Sequence, residues 1–514
     1  MKLINSILST KLSWKKTPWY VLLFAVYPTL ALLAYNITEV SPSVAVIPLI
    51  VSISGAMILL LLSYGLVHNL PRAALVTTIL LTLFFLYGHI YSSLKGINIS
   101  DNYIFRHRTL APCFLVLAGL GIWWACRKRL NVQKFTPVLN VASILLIFMP
   151  TTQIATGLYK QWEAWREAEP MISGSEFDDT VVSVSESPDI YYIILDTYER
   201  ADKIQELYEY DNSEFINWLE DHGFYVASCS LSNYAQTELS LSSSLNFNYL
   251  DALNDALTSG YVDRSPLWPL IKHSAIRQFL EARGYMTIAF ATGFNWSEVN
   301  DADIYFTPQV GTWELNSFQY MLIQTTAGRI LLDAEELNLP NTPDDLTRRR
   351  TLYALEKLQA VPSIDSPKFV FAHLLVPHTF VFGPNGEEIS IDKNTMTEDI
   401  FRQGYIDQII FINKQIEAVV TTLITNSPTP PIIIIQGDHG TEGSTWANRM
   451  SILNAVYLPG HEGMLYSSIT PVNTFRIILN AYFGQNLPLL PDVSLHSGYQ
   501  NPYEYHEIEN DCGR

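Results

Sequence analysis

The chain has 514 residues, of which 48% are hydrophobic and 16% charged, with a formal charge of −18. The charge is unevenly placed: residues 1–160 carry 13 Lys or Arg against two acids, Glu39 and Asp101, a formal +11, so that the remainder carries −29. An acidic second part of this kind argues against a nucleic-acid partner, whose phosphates need a basic face; it reads either as a well-solvated surface or as a site that concentrates metal cations.

Five apolar stretches come first, near Pro18–Ile37, Ala45–His68, Ala73–Tyr91, Leu110–Cys126 and Val138–Leu158. Each approaches the roughly 20 residues needed to cross a bilayer. The first is too long, and is followed by too many further spans, to be a cleaved signal peptide. With the N-terminus inside, the inner segments hold Lys2, Lys11, Lys15, Lys16, Arg72, Arg127, Lys128, Arg129 and Lys134, against Lys95, Arg106 and Arg108 outside. This bias orients the N-terminus in the cytoplasm, and five crossings of the plasma membrane place everything after Lys160 outside. No span has a charged centre, so no ion or proton pathway is expected. The bundle reads equally as a plain anchor and as a lateral surface for lipid.

Residues 159–187 form a transition. The run Lys160-Gln-Trp-Glu-Ala-Trp-Arg166 predicts an amphipathic interfacial helix anchored by Trp162 and Trp165. The Ser-, Asp- and Glu-rich residues after it predict a linker.

From residue 188 to 514 the pattern becomes α/β. Asp189–Leu195, Phe224–Ser228, Tyr285–Ala291, Lys368–Leu375, Pro431–Gln436 and Ala455–Leu458 are strand-like; Ile204–Asp221, Ala275–Arg283 and Glu398–Ile424 are helical. Strands apolar on both faces, alternating with helices, predict a central, mostly parallel sheet covered on both sides, with ligands beyond the carboxyl ends of its strands. The cysteines are Cys113, Cys126, Cys229 and Cys512, without a CxxC pair, which argues against a thiolate zinc site. A Cys229–Cys512 disulfide and two free thiols are equally compatible with the sequence.

Two strand ends carry acids, Leu195-Asp196-Thr197 and Gln436-Gly437-Asp438-His439-Gly440. A carboxylate ending an apolar strand is costly unless it is paired, hydrogen-bonded or metal-bound, and mixed carboxylate and imidazole ligands suit a hard or borderline divalent ion. Between them, Leu239, Leu241 and Leu245 suggest a helix starting near Thr237, which places a hydroxyl at the positive end of a helix dipole. Taken singly, each acid reads as a helix cap and Thr237 as an ordinary capping threonine; together they read as a site.

These motifs, with the Val376-Pro377-His378 segment, resemble the alkaline phosphatase superfamily in its sulfatase-like branch. Five spans before an outer catalytic domain look like lipoteichoic acid synthase and related phosphoglycerol transferases. The resemblance implies an alkaline-phosphatase-like α/β domain. Asp196 matches the first-strand metal ligand, often Glu in those transferases. Thr237 matches the nucleophile and a metal ligand, and Asp438 and His439 the remaining ligands. His378 matches a histidine that contacts the transferred group. Trp296, in Gly293-Phe-Asn-Trp296, matches an aromatic residue near the head group. The Arg that usually follows the Trp is replaced by Ser297-Glu298. Thr237-Glu-Leu-Ser-Leu replaces the Cys/Ser-x-Pro-x-Arg of formylglycine sulfatases, so a phosphodiester is the expected substrate rather than a sulfate ester.

The expectation is therefore a metal-dependent phosphotransferase using one Mn²⁺, Mg²⁺ or Zn²⁺ ion. It would move a lipid head group such as phosphoglycerol or phosphoethanolamine to a cell-envelope acceptor through a phospho-threonine. A membrane lipid or other envelope phosphodiester is the expected partner, and no protein partner is indicated. A hydrolase using the same site and a non-catalytic membrane scaffold remain open alternatives. His373, of opposite parity to His378 along its strand, reads as core; His461 and His496 carry no motif.

Overall fold

The computed structural model describes residues 16–99, 102–173, 187–254, 257–309, 315–334, 342–365, 367–389, 396–441 and 445–512. These residues form two compact units, Met1–Tyr159 with Gly311–Pro343, and Lys160–Val310 with Asp344–Arg514.

The first unit is built on α1 (Tyr20–Tyr35), α2 (Val46–Val67), α3 (Leu70–Leu94), α4 (His107–Cys126) and the part of α5 (Phe135–Ser173) up to Tyr159. Among the described residues, four of the apolar helices are by length and composition long enough to cross a membrane; α1, at 16 residues, is shorter. A 16-residue helix rises about 24 Å, short of a ~30 Å hydrocarbon core. No break separates the last apolar stretch from the segment expected to lie at the interface: α5 is one 39-residue helix. The remainder of the expected linker, and Lys2, Lys11 and Lys15, lie outside the described residues.

Part of the region expected to belong to the outer domain packs in this unit instead. The helix Ser317–Gln324 buries Phe318 among Leu33, Ile37 and Ala45. Ala327 N–H donates to the Phe84 carbonyl at 2.8 Å. A Cβ on Gly88 would lie 2.1 Å from the Gln324 carbonyl oxygen, so this close approach requires glycine.

The second unit is an α/β domain. Its strands are β1 (Ile190–Leu195), β2 (Tyr225–Val226), β3 (Met286–Phe290), β4 (Ile304–Phe306), β5 (Lys368–Leu374), β6 (Ile432–Gly437) and β7 (Asn454–Tyr457), ordered β2-β7-β6-β1-β5-β3-β4. The pairs β1–β5, β1–β6, β3–β5 and β3–β4 are parallel; β7 runs antiparallel to β6 and β2. Every residue of β1, β5 and β6 is buried, as the apolar runs require of a sheet covered on both faces. One cluster of side chains lies on the face of Ile190, Tyr192 and Ile194, the other on the face of Tyr191, Ile193 and Leu195.

Polar anchors set the register of the central strands. At the amino ends, Lys368 Nζ and Asp189 Oδ2 form a fully buried ion pair at 2.6 Å. Near the carboxyl ends, the Tyr192 hydroxyl lies 2.9 Å from both Gln436 Oε1 and Ser244 Oγ, fixing the helix Thr237–Leu245 to the sheet. The helical pattern over Ile204–Asp221 is two helices, Ala201–Tyr208 and Ser213–Asp221, because Glu209 turns left-handed (φ 57°) between them. A C-terminal hairpin, β8 (Ser494–Gly498) with β9 (Asn501–Ile508), completes the domain. Cys229 and Cys512 form a disulfide, resolving the alternative that the sequence leaves open.

Candidate active site and metal centre

The parallel register builds the site. Leu195 is level with Leu374 of β5 and with Gly437 of β6. Asp196 and Asp438 therefore leave adjacent strands at the same height. A Cβ on Gly437 would lie 2.3 Å from the Tyr198 carbonyl oxygen, so only glycine lets the two strand ends approach in this way. Asp438 Oδ1 accepts from the backbone N–H groups of Thr197 (3.0 Å) and His439 (2.9 Å). Thr197 has φ 63°, an uncommon conformation for a β-branched residue, and in it directs its N–H at Asp438. The second oxygen, Oδ2, is buried without a hydrogen-bond partner.

His373 belongs to this centre. It is level with Ile194, and Asp196 lies two residues beyond Ile194 on the same face of β1. The parity that reads as core thus aims the imidazole at the carboxylate. His373 Nε2 is 3.4 Å from Asp196 Oδ2, an ion-pair distance rather than a good hydrogen bond. Both His373 ring nitrogens and Asp196 Oδ1 are buried without hydrogen-bond partners. Asp196, His373 and Asp438 each offer a ligand atom within 4.8 Å of the others. Two adjacent buried carboxylates with unsatisfied oxygens are costly in a protein interior, and a divalent cation satisfies both. The donor set, two carboxylates and an imidazole, fits such an ion.

Thr237 opens its helix, as its sequence suggests, and its Oγ1 is 3.0 Å from His439 Nε2. His439 Nδ1 is 2.7 Å from the Gly440 carbonyl, which can only accept, so Nδ1 carries the proton and Nε2 presents its lone pair to Thr237. His439 Nε2 is also 3.5 Å from Asp438 Oδ2. Ser240, one turn into the helix, donates to the Asp438 carbonyl at 2.8 Å and holds the helix start against the strand end. Burial works against the charged form of Asp196, yet His378, His373 and His439 together hold its carboxyl below the usual carboxylate range.

His378 is exposed, and its backbone N–H donates to the Asp196 carbonyl at 3.1 Å. It lines a cavity of about 390 Å³ together with Thr197, Asp344, Phe380, Phe401 and Tyr405. Trp296 is buried, its ring 6.3 Å from that of His373. The sequence-predicted residues are thus gathered at one end of the sheet.

Two further groups escape the sequence pattern. Arg350, on the helix Pro343–Ala360, sits against the Gly293 loop: a Cβ there would come 2.4 Å from its Nη1. It also lines a small cavity with His373, and burial lowers its basicity while Glu298 raises it. A guanidinium therefore stands near the Gly293–Trp296 segment although none follows Trp296 in sequence. Spacing in the chain carries no signal of it.

The second group is Glu199, whose Oε1 accepts from Thr441 N–H and Oγ1 at 2.8 Å each. Burial pushes its carboxyl up to about 7 from 4.5, against the lowering effects of Thr441, Tyr208 and Arg449. The folded state thus keeps a proton that the unfolded chain loses above the lower value. Stability should fall by about 3 kcal/mol as pH rises from below 4.5 through 7. Glu199→Gln should flatten that fall in thermal melts of the detergent-solubilised protein; an unchanged pH profile would remove Glu199 as its source.

No family model and no curated protein matches the chain. Solved structures do. The chain is similar to the integral membrane lipooligosaccharide phosphoethanolamine transferase A (EptA) from Neisseria meningitidis, with 10% identity over 90% of this chain and 94% of that one and a TM-score of 0.40. It is similar to the zinc complex of the C-terminal periplasmic domain of EptC from Escherichia coli, with 12% identity over 65% and 95% and a TM-score of 0.43. It is also similar to a sulfatase-like protein from Bacteroides thetaiotaomicron, with 14% identity over 59% and 72% and a TM-score of 0.38.

Proposed function

We propose that the protein is a membrane-anchored, metal-dependent phosphotransferase acting outside the cytoplasm, with Thr237 as nucleophile. The observation that carries this reading is the Thr237 hydroxyl, at a helix start and 3.0 Å from His439 Nε2, beside the unsatisfied Asp196, His373 and Asp438. Residues 1–158 with 311–343 serve as anchor, and 188–310 with 344–514 as the catalytic module. The Cys229–Cys512 disulfide supports an oxidising, extracytoplasmic location for the latter.

Asp196, Asp438, His439 and the Thr237 oxygen would hold a divalent ion, Mn²⁺, Mg²⁺ or Zn²⁺, with His373 as a further ligand. Bound there, such an ion would lower the pKa of the Thr237 hydroxyl and neutralise charge on the phosphoryl oxygens. The rest of the chemistry belongs to the side chains. The helix start favours the alkoxide and the anion in front of it. Thr237 Oγ1 bonds to phosphorus as the bond to the donor's alcohol oxygen breaks, and His378, which lines the cavity, supplies a proton to that oxygen. Arg350 is placed to draw in an anionic group. The oxygen of an envelope acceptor's hydroxyl then bonds to phosphorus as the bond to Thr237 Oγ1 breaks, and the acceptor's proton returns to His378.

The cavity lining favours one head group over another. Phe380, Phe401 and Tyr405 with the Asp344 carboxylate suit a small ammonium better than a glycerol. Phosphoethanolamine is accordingly the preferred head group over phosphoglycerol. To test this, purified full-length protein with Mn²⁺ or Zn²⁺ is given vesicles of phosphatidylethanolamine or phosphatidylglycerol, and diacylglycerol release is followed. Release from phosphatidylethanolamine is expected. Release from neither lipid would overturn the reading, and release without transfer to any lipid acceptor would make the enzyme a hydrolase.

A further inference from the structure

The C-terminal hairpin places two histidines directly opposite each other, His496 of β8 and His506 of β9. Their ring centres are 5.2 Å apart and their planes inclined by 30°. Two imidazoles sharing one tetrahedral ion, each with a nitrogen about 2.0–2.1 Å from it, have ring centres about 5 Å apart. Directly paired residues of an antiparallel ladder hold their Cβ atoms about 4.5–5.5 Å apart, which lets both rings lean toward one point.

From this pairing we propose that His496 and His506 form a second metal-binding site, distinct from the Asp196–His373–Asp438 centre, for a borderline transition-metal ion such as Zn²⁺, Ni²⁺ or Cu²⁺. Two imidazoles from the protein and waters in the remaining positions favour these ions over Mg²⁺ or Ca²⁺, which prefer oxygen ligands. His506 is exposed and His496 partly exposed, so an ion enters from solvent. Burial and the neighbouring His506 both lower the basicity of His496, favouring the neutral form that binds metal.

The hairpin is joined to the segment ahead of the proposed nucleophile. Leu495 N–H donates to the Asn233 carbonyl at 2.8 Å. Gln236 Nε2 donates to Ser497 O at 3.0 Å and lies 3.1 Å from Ser497 Oγ. An ion clipping β8 to β9 would therefore stiffen the support of Gln236, the residue before Thr237. The site itself does not depend on the chemistry assigned to Thr237.

The test uses the full-length protein in detergent, its Asp196–Asp438 centre first loaded with a single equivalent of Zn²⁺ so that the hairpin pair is left to Cu²⁺. Cu²⁺ is then titrated and followed by calorimetry and electron paramagnetic resonance. One further Cu²⁺ with nitrogen hyperfine structure from two imidazoles is expected. His506→Ala, an exposed position, should weaken its binding about tenfold or more and reduce the nitrogen couplings. His496→Gln, which keeps a polar side chain, should do the same, and His461→Ala should not. No further Cu²⁺ in the wild type, or unchanged binding in both hairpin variants, would reduce the pair to a packing contact and overturn the proposal.

Discussion

Thr237→Ala is expected to lower head-group turnover by about a thousandfold or more, because it removes the attacking oxygen and with it one proposed ligand of the ion. The Thr237 side chain bonds to His439, and its backbone stays in the same helix start whichever side chain is present. The melting temperature of the metal-free variant should therefore stay close to that of the metal-free wild type. Thr237→Ser keeps a hydroxyl but loses the β-branch that restricts χ1, so partial activity is expected. A Thr237→Ala protein with full turnover would end the nucleophile assignment, and one that fails to fold would show up in the melting curve first.

Metal removal should have the second largest effect, and on stability as well as activity. Asp196 and Asp438 carry buried oxygens without hydrogen-bond partners, and His373 two such nitrogens. Chelation leaves these groups uncompensated. Restoring a divalent ion at a hundredfold excess over its dissociation constant should add about 2.7 kcal/mol to the folded state, read as a rise in melting temperature. His373→Ala separates two roles for this residue. As a ligand, it should weaken metal affinity about tenfold or more and shrink the metal-dependent rise. As core packing alone, it would lower the melting temperature equally with and without metal and leave affinity unchanged.

His373 also shows where the sequence is legible and where it is not. Apolar runs ending in an acid announce both the parallel sheet and the level at which Asp196 and Asp438 emerge, since strand length and burial are local properties. The parity that sets His373 apart from His378 reads it as core, and His373 is buried. It cannot say that the inward neighbour is a carboxylate, because that depends on register with β1. Arg350 is hidden for a similar reason: it reaches the Gly293 loop from a helix that begins at Pro343. The short β4 carries three residues, too few for a pattern. The hairpin is different. Tyr503 and Tyr505 alternate inward in a run that has the strand period, but the strand is half-exposed and polar and is not among those expected from the sequence. The Phe318 segment depends on packing against α1, which no local pattern encodes.

The most direct test of the central claim is to catch the covalent intermediate. Full-length protein with Mn²⁺ or Zn²⁺ is mixed with phosphatidylethanolamine vesicles, quenched in acid without acceptor, and its peptides analysed by mass spectrometry. A phosphoethanolamine adduct on Thr237 is predicted, absent from Thr237→Ala and discharged when acceptor is added before the quench. Turnover with no adduct on Thr237, or with the adduct on another residue, would contradict the account.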